Sequence, residues 1–206
     1  TDIVIPEGIE SIGEYAFYEC NALVNTNIPL STKYVGYHAF GYHGEFKVKC
    51  GAMERPSGWH IDWLWSGSVV WGYKGEHSDG KYTYSLNTDY TATVTSYIGL
   101  DLNLTIPNNV NYKGEVYTIT KIGDYAFANN NNIITVKLPS ELISIGDYAF
   151  WNWHSIKKIV LPDTVVSIGE YAFYNNSLLG EGGCTIEIPN TIQTIGEYAF
   201  SNVYNV

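Results

Sequence analysis

The chain has 206 residues, 45% of them hydrophobic and 16% charged, with a formal net charge of −10. That balance fits an ordered chain and excludes a disordered one. The eleven Lys and Arg are scattered, which argues against a nucleic-acid backbone or an anionic membrane surface as partner. No apolar run approaches the roughly 20 residues of a membrane helix, so no membrane insertion is expected within this segment. Cys20, Cys50 and Cys184 are odd in number and widely spaced, so neither a disulfide framework nor a zinc site is expected, and buried apolar-type thiols are. Thr1 falls inside a repeat and no signal peptide or anchor is visible, as expected of a segment cut from a longer protein.

Internal periodicity organises the rest. The first copy runs from Ile5-Pro6 to Phe17 and ends Ile-Gly-Glu-Tyr-Ala-Phe. A degenerate copy follows from Ile28-Pro29 to Phe40, ending Val-Gly-Tyr-His-Ala-Phe, and Phe46 to Cys50 reads as a repeat strand with Val48 and Cys50 inward. Residues 51–105 leave the pattern. Trp59, Trp63, Trp65 and Trp71 crowd one short stretch, and two readings stand: a cap over the solenoid end, or an aromatic platform for sugar stacking. Residues 73–80, charged and Gly-rich, read as a linker. Tyr82 to Leu86 and Thr91 to Thr95 alternate around Asn87 to Tyr90 and predict a β-hairpin. Leu102, Leu104 and Ile106 open a third, bulged copy that ends at Phe127. It holds a second hairpin turn at Asn111-Tyr112-Lys113-Gly114. Three more copies run from Leu138-Pro139 to Phe150, Leu161-Pro162 to Phe173 and Ile188-Pro189 to Phe200. The step from Phe173 to Phe200 is 27 where the other adjacent steps are 23, which places an insertion near Gly180-Glu181-Gly182-Gly183.

Each column has a physical reading. Ile133, Val136 and Leu138 are apolar while Thr135 and Lys137 are polar, and Ile156, Ile159 and Leu161 repeat this. Alternation that halts at Pro predicts a short strand with one buried face. Leu142 and Ile145, like Val165 and Ile168, return inward, and Gly13, Gly123, Gly146, Gly169 and Gly196 are read as turns. The Ala and Phe that follow add bulk to each layer, and stacking of coils buries what one coil leaves exposed. Glu14, Asp124, Asp147, Glu170 and Glu197 form an acidic column at the start of a short predicted helical turn. Repulsion of roughly 0.8 kcal/mol per neighbour in water nearly cancels about 0.3–1 kcal/mol from that helix start, so no metal is required. Tyr15, Tyr125, Tyr148, Tyr171 and Tyr198 form a second column expected to stack between coils, with His38 in the degenerate copy.

The Leu-x-x-[Ile/Val]-x-[Ile/Leu]-Pro and Val-x-Ser-Ile-Gly-[Asp/Glu]-Tyr-Ala-Phe pattern resembles the BspA-like leucine-rich repeats of bacterial surface proteins, over roughly residues 1–50 and 104–206. It departs from better-known leucine-rich repeats in having no asparagine ladder after the strand. The resemblance implies a right-handed leucine-rich-repeat-like coil, mainly β with short helical turns, its curved sheet on the concave side. The Trp-rich stretch also resembles a closing motif of this family, which favours the cap. Two arrays are expected: residues 1–72, the end of a first array with its cap, and residues 81–206, a second array opened by a hairpin cap. The family implies an extracellular or cell-surface location and a host or matrix protein as partner; a glycan is the alternative partner, and a monomeric chain is expected.

No catalytic role is expected, because no nucleophile-elbow, phosphate-loop or Cys–His constellation is present. No cofactor or metal is expected either, since His43, His60, His77 and His154 have no ligand-spaced partners. Asn103-Leu104-Thr105 and Asn175-Asn176-Ser177 match glycosylation sequons, relevant only in a eukaryotic secretory setting. Two candidate binding surfaces remain. The outward side of the concave strands carries Asn25, Asn27, Asn103, Thr105, Thr135, Lys137, Lys158, Val160, Thr185 and Glu187, a flat polar face suited to a protein partner. Trp151, Trp153 and Tyr174, with Tyr18, follow the Phe column and are candidates either for contact with a partner or for packing between loops. Position 153 aligns with the inward Cys20. A structural spacer and a carbohydrate-binding module using exposed Trp or Tyr are the competing readings.

Overall fold

The computed structural model describes residues 2–41, 46–176 and 187–203. It divides into two units, Thr1–Gly75 with Asn87–Asp89, and Glu76–Leu86 with Tyr90–Val206.

In the first unit the strands are β1 (Asp2–Val4), β2 (Ser11–Ile12), β3 (Asn25–Ile28), β4 (Tyr34–Val35), β5 (Lys47–Cys50) and β6 (Ser68–Val70). The segment before each Pro supplies β1 and β3, which join β5 and β6 in one parallel sheet of order β1-β3-β5-β6. Thr26, Ile28, Val48 and Cys50 point into the core from alternate positions, as a period of two requires. The Ser-Ile and Tyr-Val segments after the Pro form the separate parallel pair β2–β4.

The tryptophan stretch is a further coil of this array. Val35 bridges Trp59 and Phe40 bridges Leu64. The N–H groups of His38 and Phe40 donate to the carbonyls of Asp62 and Trp63. Trp59 thus stands where Val35 stands one coil earlier, and Leu64 where Phe40 stands. Trp59 and Trp63 are buried, with rings 5.0 Å apart, and the Trp59 Nε1–H donates to the Thr32 carbonyl at 3.2 Å. Trp59 and Trp63 are therefore core side chains and offer no platform for a sugar.

Where a linker is expected, Tyr73–Ser78 forms β7, and it pairs with β8 (Tyr82–Asn87). β8 and β9 (Thr91–Tyr97) make the expected antiparallel hairpin, burying Tyr82, Tyr84, Leu86, Ala92 and Val94. The strands that follow are β10 (Asn103–Thr105), β11 (Asn109–Tyr112), β12 (Glu115–Ile122), β13 (Thr135–Lys137), β14 (Ser144–Ile145), β15 (Ser167–Ile168) and β16 (Thr194–Ile195). β11 and β12 close on Lys113 and Gly114 with φ of 50° and 82°, the conformation that Gly favours in a two-residue hairpin turn. β9, β12, β14, β15 and β16 run side by side in parallel, aligning Val94, Ile122, Ile145, Ile168 and Ile195. Behind this ladder Phe127, Phe150, Phe173 and Phe200 stack at 5.2–5.4 Å. Tyr97 of the hairpin stacks on Phe127 at 5.4 Å and closes that column.

The short helical turns expected at Asp-Tyr-Ala-Phe are absent, and no helix occurs among the described residues. The reason is local. Tyr15, Tyr125, Tyr148, Tyr171 and Tyr198 have φ between 53° and 57°, and His38 has 45°. A left-handed residue interrupts any right-handed run. Its N–H turns outward instead, so that Tyr125, Phe127 and Asn129 donate to the carbonyls of Asp147, Ala149 and Trp151 in the next coil. The glycine column does open each turn, Gly13, Gly123 and Gly196 accepting the N–H groups of Ala16, Ala126 and Ala199 at 3.3–3.4 Å, but without a left-handed φ, so the turn alone does not require Gly. A Cβ on Gly146 would lie 2.4 Å from Asp124 Oδ1, and one on Gly169 would lie 2.3 Å from Asp147 Oδ1. Gly is needed there because the neighbouring coil's backbone presses against it.

Candidate interaction surface

The outward side of the pre-proline strands is built by alternation: with Leu104, Ile133 and Ile159 buried, their neighbours face away from the core. In the second unit Asn103 pairs with Thr135 and Thr105 with Lys137, while Thr135 also bridges Lys158 and Val160 bridges Glu187. Asn103, Thr105, Thr135, Lys137, Lys158, Val160 and Glu187 are all exposed on these rungs. The Thr135 hydroxyl donates to Asn103 Oδ1 at 2.7 Å, which fixes one end of the face. Lys137 and Lys158 have no acidic partner among the described residues. A recess of about 470 Å³ lies at the Pro corner of the same strands, lined by Val160, Leu161, Pro162, Asp163, Glu187, Ile188, Pro189 and Asn190. Thr185 lies outside the described residues, as do His43, Ser177, Cys184 and the insertion at 180–183.

In the first unit Asn25 and Asn27 are half-buried. The Asn25 amide donates to Asp2 Oδ1 at 3.2 Å, so part of its polar capacity is already engaged. One rung row runs Asp2, Asn25, Lys47, Ser68, and the next runs Val4, Asn27, Lys49, Val70. Lys47 and Lys49 were not singled out from the sequence, although inward Val48 and Cys50 already place them outward. The Lys49 ammonium sits 4.8 Å from the centre of the Tyr73 ring.

The candidates after the Phe column separate. Trp153 is fully buried, its backbone N–H donating to Asn176 Oδ1 at 2.8 Å, so it is core and cannot meet a partner. Its alignment with Cys20, half-buried in the structure, is the sequence signal for that. Trp151 and Tyr174 are half-buried and lie edge-on to Tyr148 and Tyr171, at 6.2 and 5.3 Å. They flank a stack of Tyr125, Tyr148, Tyr171 and Tyr198 with ring centres 4.7–4.9 Å apart. Tyr125 and Tyr198 remain 56% exposed. The hydroxyls of Tyr148 and Tyr171 titrate above the usual phenol range, first through desolvation and then through neighbouring tyrosines and carboxylates.

The acidic column is held by backbone. Asp124 Oδ1 accepts the N–H of Asp147 at 3.1 Å, and Asp147 Oδ1 accepts the N–H of Glu170 at 2.8 Å. Among the described residues no group of three His, Cys, Asp or Glu side chains converges in a way that could hold a metal. Cys50 is buried, and that burial pushes its thiol up to about 12, so it stays protonated near neutrality. A column missed in the sequence is Asn129, Asn152, Asn175 and Asn202, all left-handed with φ of 56–64°. Asn152 donates to Asn129 at 2.9 Å and Asn175 to Asn152 at 2.7 Å. An asparagine ladder therefore exists after Ala-Phe rather than after the strand.

The sequence matches the BspA type leucine rich repeat region in six copies, over residues 1–48 and 103–206. No curated protein matches it. A leucine-rich repeat protein from Bacteroides capillosus is 31% identical, with a TM-score of 0.50, over 59% of this chain and 88% of that one. The T. pallidum leucine rich repeat protein is 20% identical, with a TM-score of 0.48, over 63% of this chain and 69% of that one. A leucine rich cell surface protein from Faecalibacterium prausnitzii is 22% identical, with a TM-score of 0.32, over 65% of this chain and 53% of that one.

Proposed function

The chain belongs to the BspA-type leucine-rich repeat family, and from that premise we propose that it is a non-catalytic binding module of a larger secreted or surface protein. It engages a protein partner through the outward face of β10, β13 and the rungs beside them. The observation that carries this reading is the pair Lys137 and Lys158, two exposed cations without acidic partners among the described residues, in a chain of net charge −10. Such a face attracts an acidic surface and sets on-rate and partner choice more than bulk affinity. Its flatness suits a protein better than a small ligand. The extracellular location is part of the same proposal, and membership of this repeat family supports it.

The test is capture on an array of matrix and host-surface proteins by the native chain and by Lys137→Glu/Lys158→Glu. Weaker capture with an unchanged melting temperature is the expected result. Equal capture by both counts against this face, and no capture of any protein favours a spacer role.

A further inference from the structure

The tyrosine column carries a chemical group that its packing does not use. Tyr125, Tyr148 and Tyr171 come from three successive coils and stack face to face. Their ring centres are 4.7 and 4.8 Å apart, and each pair of planes lies within 5° of parallel. Phe would stack there equally well, as the buried Phe127, Phe150 and Phe173 do two positions along. The hydroxyls of the three tyrosines make no hydrogen bond among the described residues. Tyr125 is exposed and Tyr148 and Tyr171 are half-buried, so the column stands open to solvent along one side. Tyr82 and Tyr97 form the contrasting pair, with ring centres 5.3 Å apart and planes tilted by 41°. Both are buried, and their hydroxyls donate to the Thr105 carbonyl and to the Asp101 carboxylate.

A hydroxyl makes an aromatic ring oxidisable by one electron, which the ring of Phe is not. Loss of an electron and the phenolic proton leaves a phenoxyl radical. Its unpaired spin is shared between the oxygen and ring carbons that include the two Cε atoms beside it. Two such radicals on neighbouring rings join through a Cε–Cε bond. The hydrogen on each joined carbon then moves to the oxygen and restores the phenol. Two tyrosines thus give up two electrons and two protons, and one molecule of hydrogen peroxide takes them up and leaves as two waters. The column is arranged for this step. A quarter turn of each ring about its Cβ–Cγ bond sets the facing rings edge to edge, with their Cε atoms together and their centres near the present separation. The coils stay where they are, and the open side of the column gives the rings room to turn.

We propose that the tyrosine column is a site of oxidative cross-linking, at which hydrogen peroxide acting through a haem peroxidase joins Tyr148 to Tyr125 and to Tyr171. Each link ties two coils at positions 23 residues apart in the sequence. A cross-link over such a loop removes conformations from the unfolded chain. The modification therefore clamps the boundary between repeats, and it is independent of the binding face on the pre-proline strands.

The whole chain, kept dilute and treated with hydrogen peroxide and a haem peroxidase, tests this. Dityrosine fluorescence is expected in the fraction that keeps monomer mass. Trypsin cuts after Lys121, Lys137 and Lys158, which puts Tyr125, Tyr148 and Tyr171 on three different peptides. The joined peptides are expected to be two hydrogens lighter than their sum, with Tyr82 and Tyr97 spared. Tyr148→Phe keeps the stacked ring and is expected to lose both links and most of the fluorescence. The urea midpoint of the native chain is expected to rise on oxidation and that of Tyr148→Phe is not. Undiminished dityrosine in Tyr148→Phe overturns the proposal, as do links that fall mainly on other tyrosines or only between separate molecules. Equal midpoint shifts in the two oxidised proteins overturn the clamp.

Discussion

The indole Nε1–H of Trp153 donates to the carbonyl oxygen of Phe127 at 2.5 Å, reaching back across a whole coil. The same indole lies edge-on to Phe150 at 5.1 Å and to Phe127 at 6.4 Å. The Phe127 carbonyl, which takes no part in the backbone ladder between coils, thus accepts from two side chains, this indole and the Asn130 amide at 2.9 Å. Trp153→Phe removes the donor but keeps most of the bulk, and is expected to lose about 1–3 kcal/mol. Trp153→Ala is expected to lose about 3–5 kcal/mol. Half-buried Trp151→Ala is expected to lose much less. Urea denaturation of the three variants, followed by far-ultraviolet circular dichroism, ranks them.

Gly169 and Gly13 occupy the same repeat position with opposite surroundings. Gly169→Ala forces a methyl group against the Asp147 carboxylate and backbone, and a loss of roughly 1–3 kcal/mol is expected from the overpacking. Gly13→Ala is expected to leave the melting temperature unchanged, since a methyl group there meets nothing within 4 Å. Differential scanning calorimetry of both tests whether coil contact is what requires glycine: similar losses would mean that the turn itself does.

Asn152 both holds a left-handed backbone and links Asn129 to Asn175 through its amide. Asn152→Ala is expected to lose about 1–2 kcal/mol for the left-handed conformation alone, plus the two side-chain bonds. Asn152→Gly removes the bonds and keeps the backbone free to turn, so its loss is expected to be smaller. Equal chemical-denaturation midpoints for the two variants would mean that the ladder, not the backbone, carries the effect.

Asp79 makes the second unit sensitive to acid. Burial alone would raise its carboxyl, but the N–H groups of Tyr82 and Lys81 at 2.7 and 2.9 Å and the Tyr84 hydroxyl at 2.9 Å hold the charged form and lower it. A folded-state value below the unfolded one stabilises the fold above the unfolded value and is lost as pH falls through the folded one. That window opens below about pH 4 for an Asp. Melting temperatures measured at about pH 6 and about pH 3 are expected to differ more for the native chain than for Asp79→Asn. Equal differences would remove Asp79 from the account.

Much of this fold is legible in the sequence because the repeat writes it in columns. Strand alternation stops at Pro29 and Pro139, and Lys113-Gly114 announces its hairpin. What was not legible has specific causes. The tryptophan coil keeps the backbone path but fills the columns with Trp59, Trp63 and Leu64, so no apolar motif repeats. The helical turn fails because Tyr148 and its equivalents adopt a backbone that tyrosine rarely favours, and only the bonds to the next coil compensate. The asparagine ladder was visible as an Asn two residues after each Phe from Phe127 onward, at 129, 152, 175 and 202. On the candidate face, alternation placed Lys137 and Lys158 outward, but it could not separate Trp151 from Trp153, which differ only in depth.

The left-handed tyrosines also bear on how the molecule forms. A helical turn closes its bonds within one stretch of chain, so it can flicker into existence alone. Here the N–H groups of Tyr148, Phe150 and Asn152 find acceptors only on the neighbouring coil. One coil by itself holds three strained or unsatisfied positions and no compensation. Two coils forming together gain the whole set at once. Nucleation in such an array requires an adjacent pair, and growth then proceeds by single coils onto an existing edge. Cooperativity is therefore seated in the boundaries between repeats rather than in the repeats themselves.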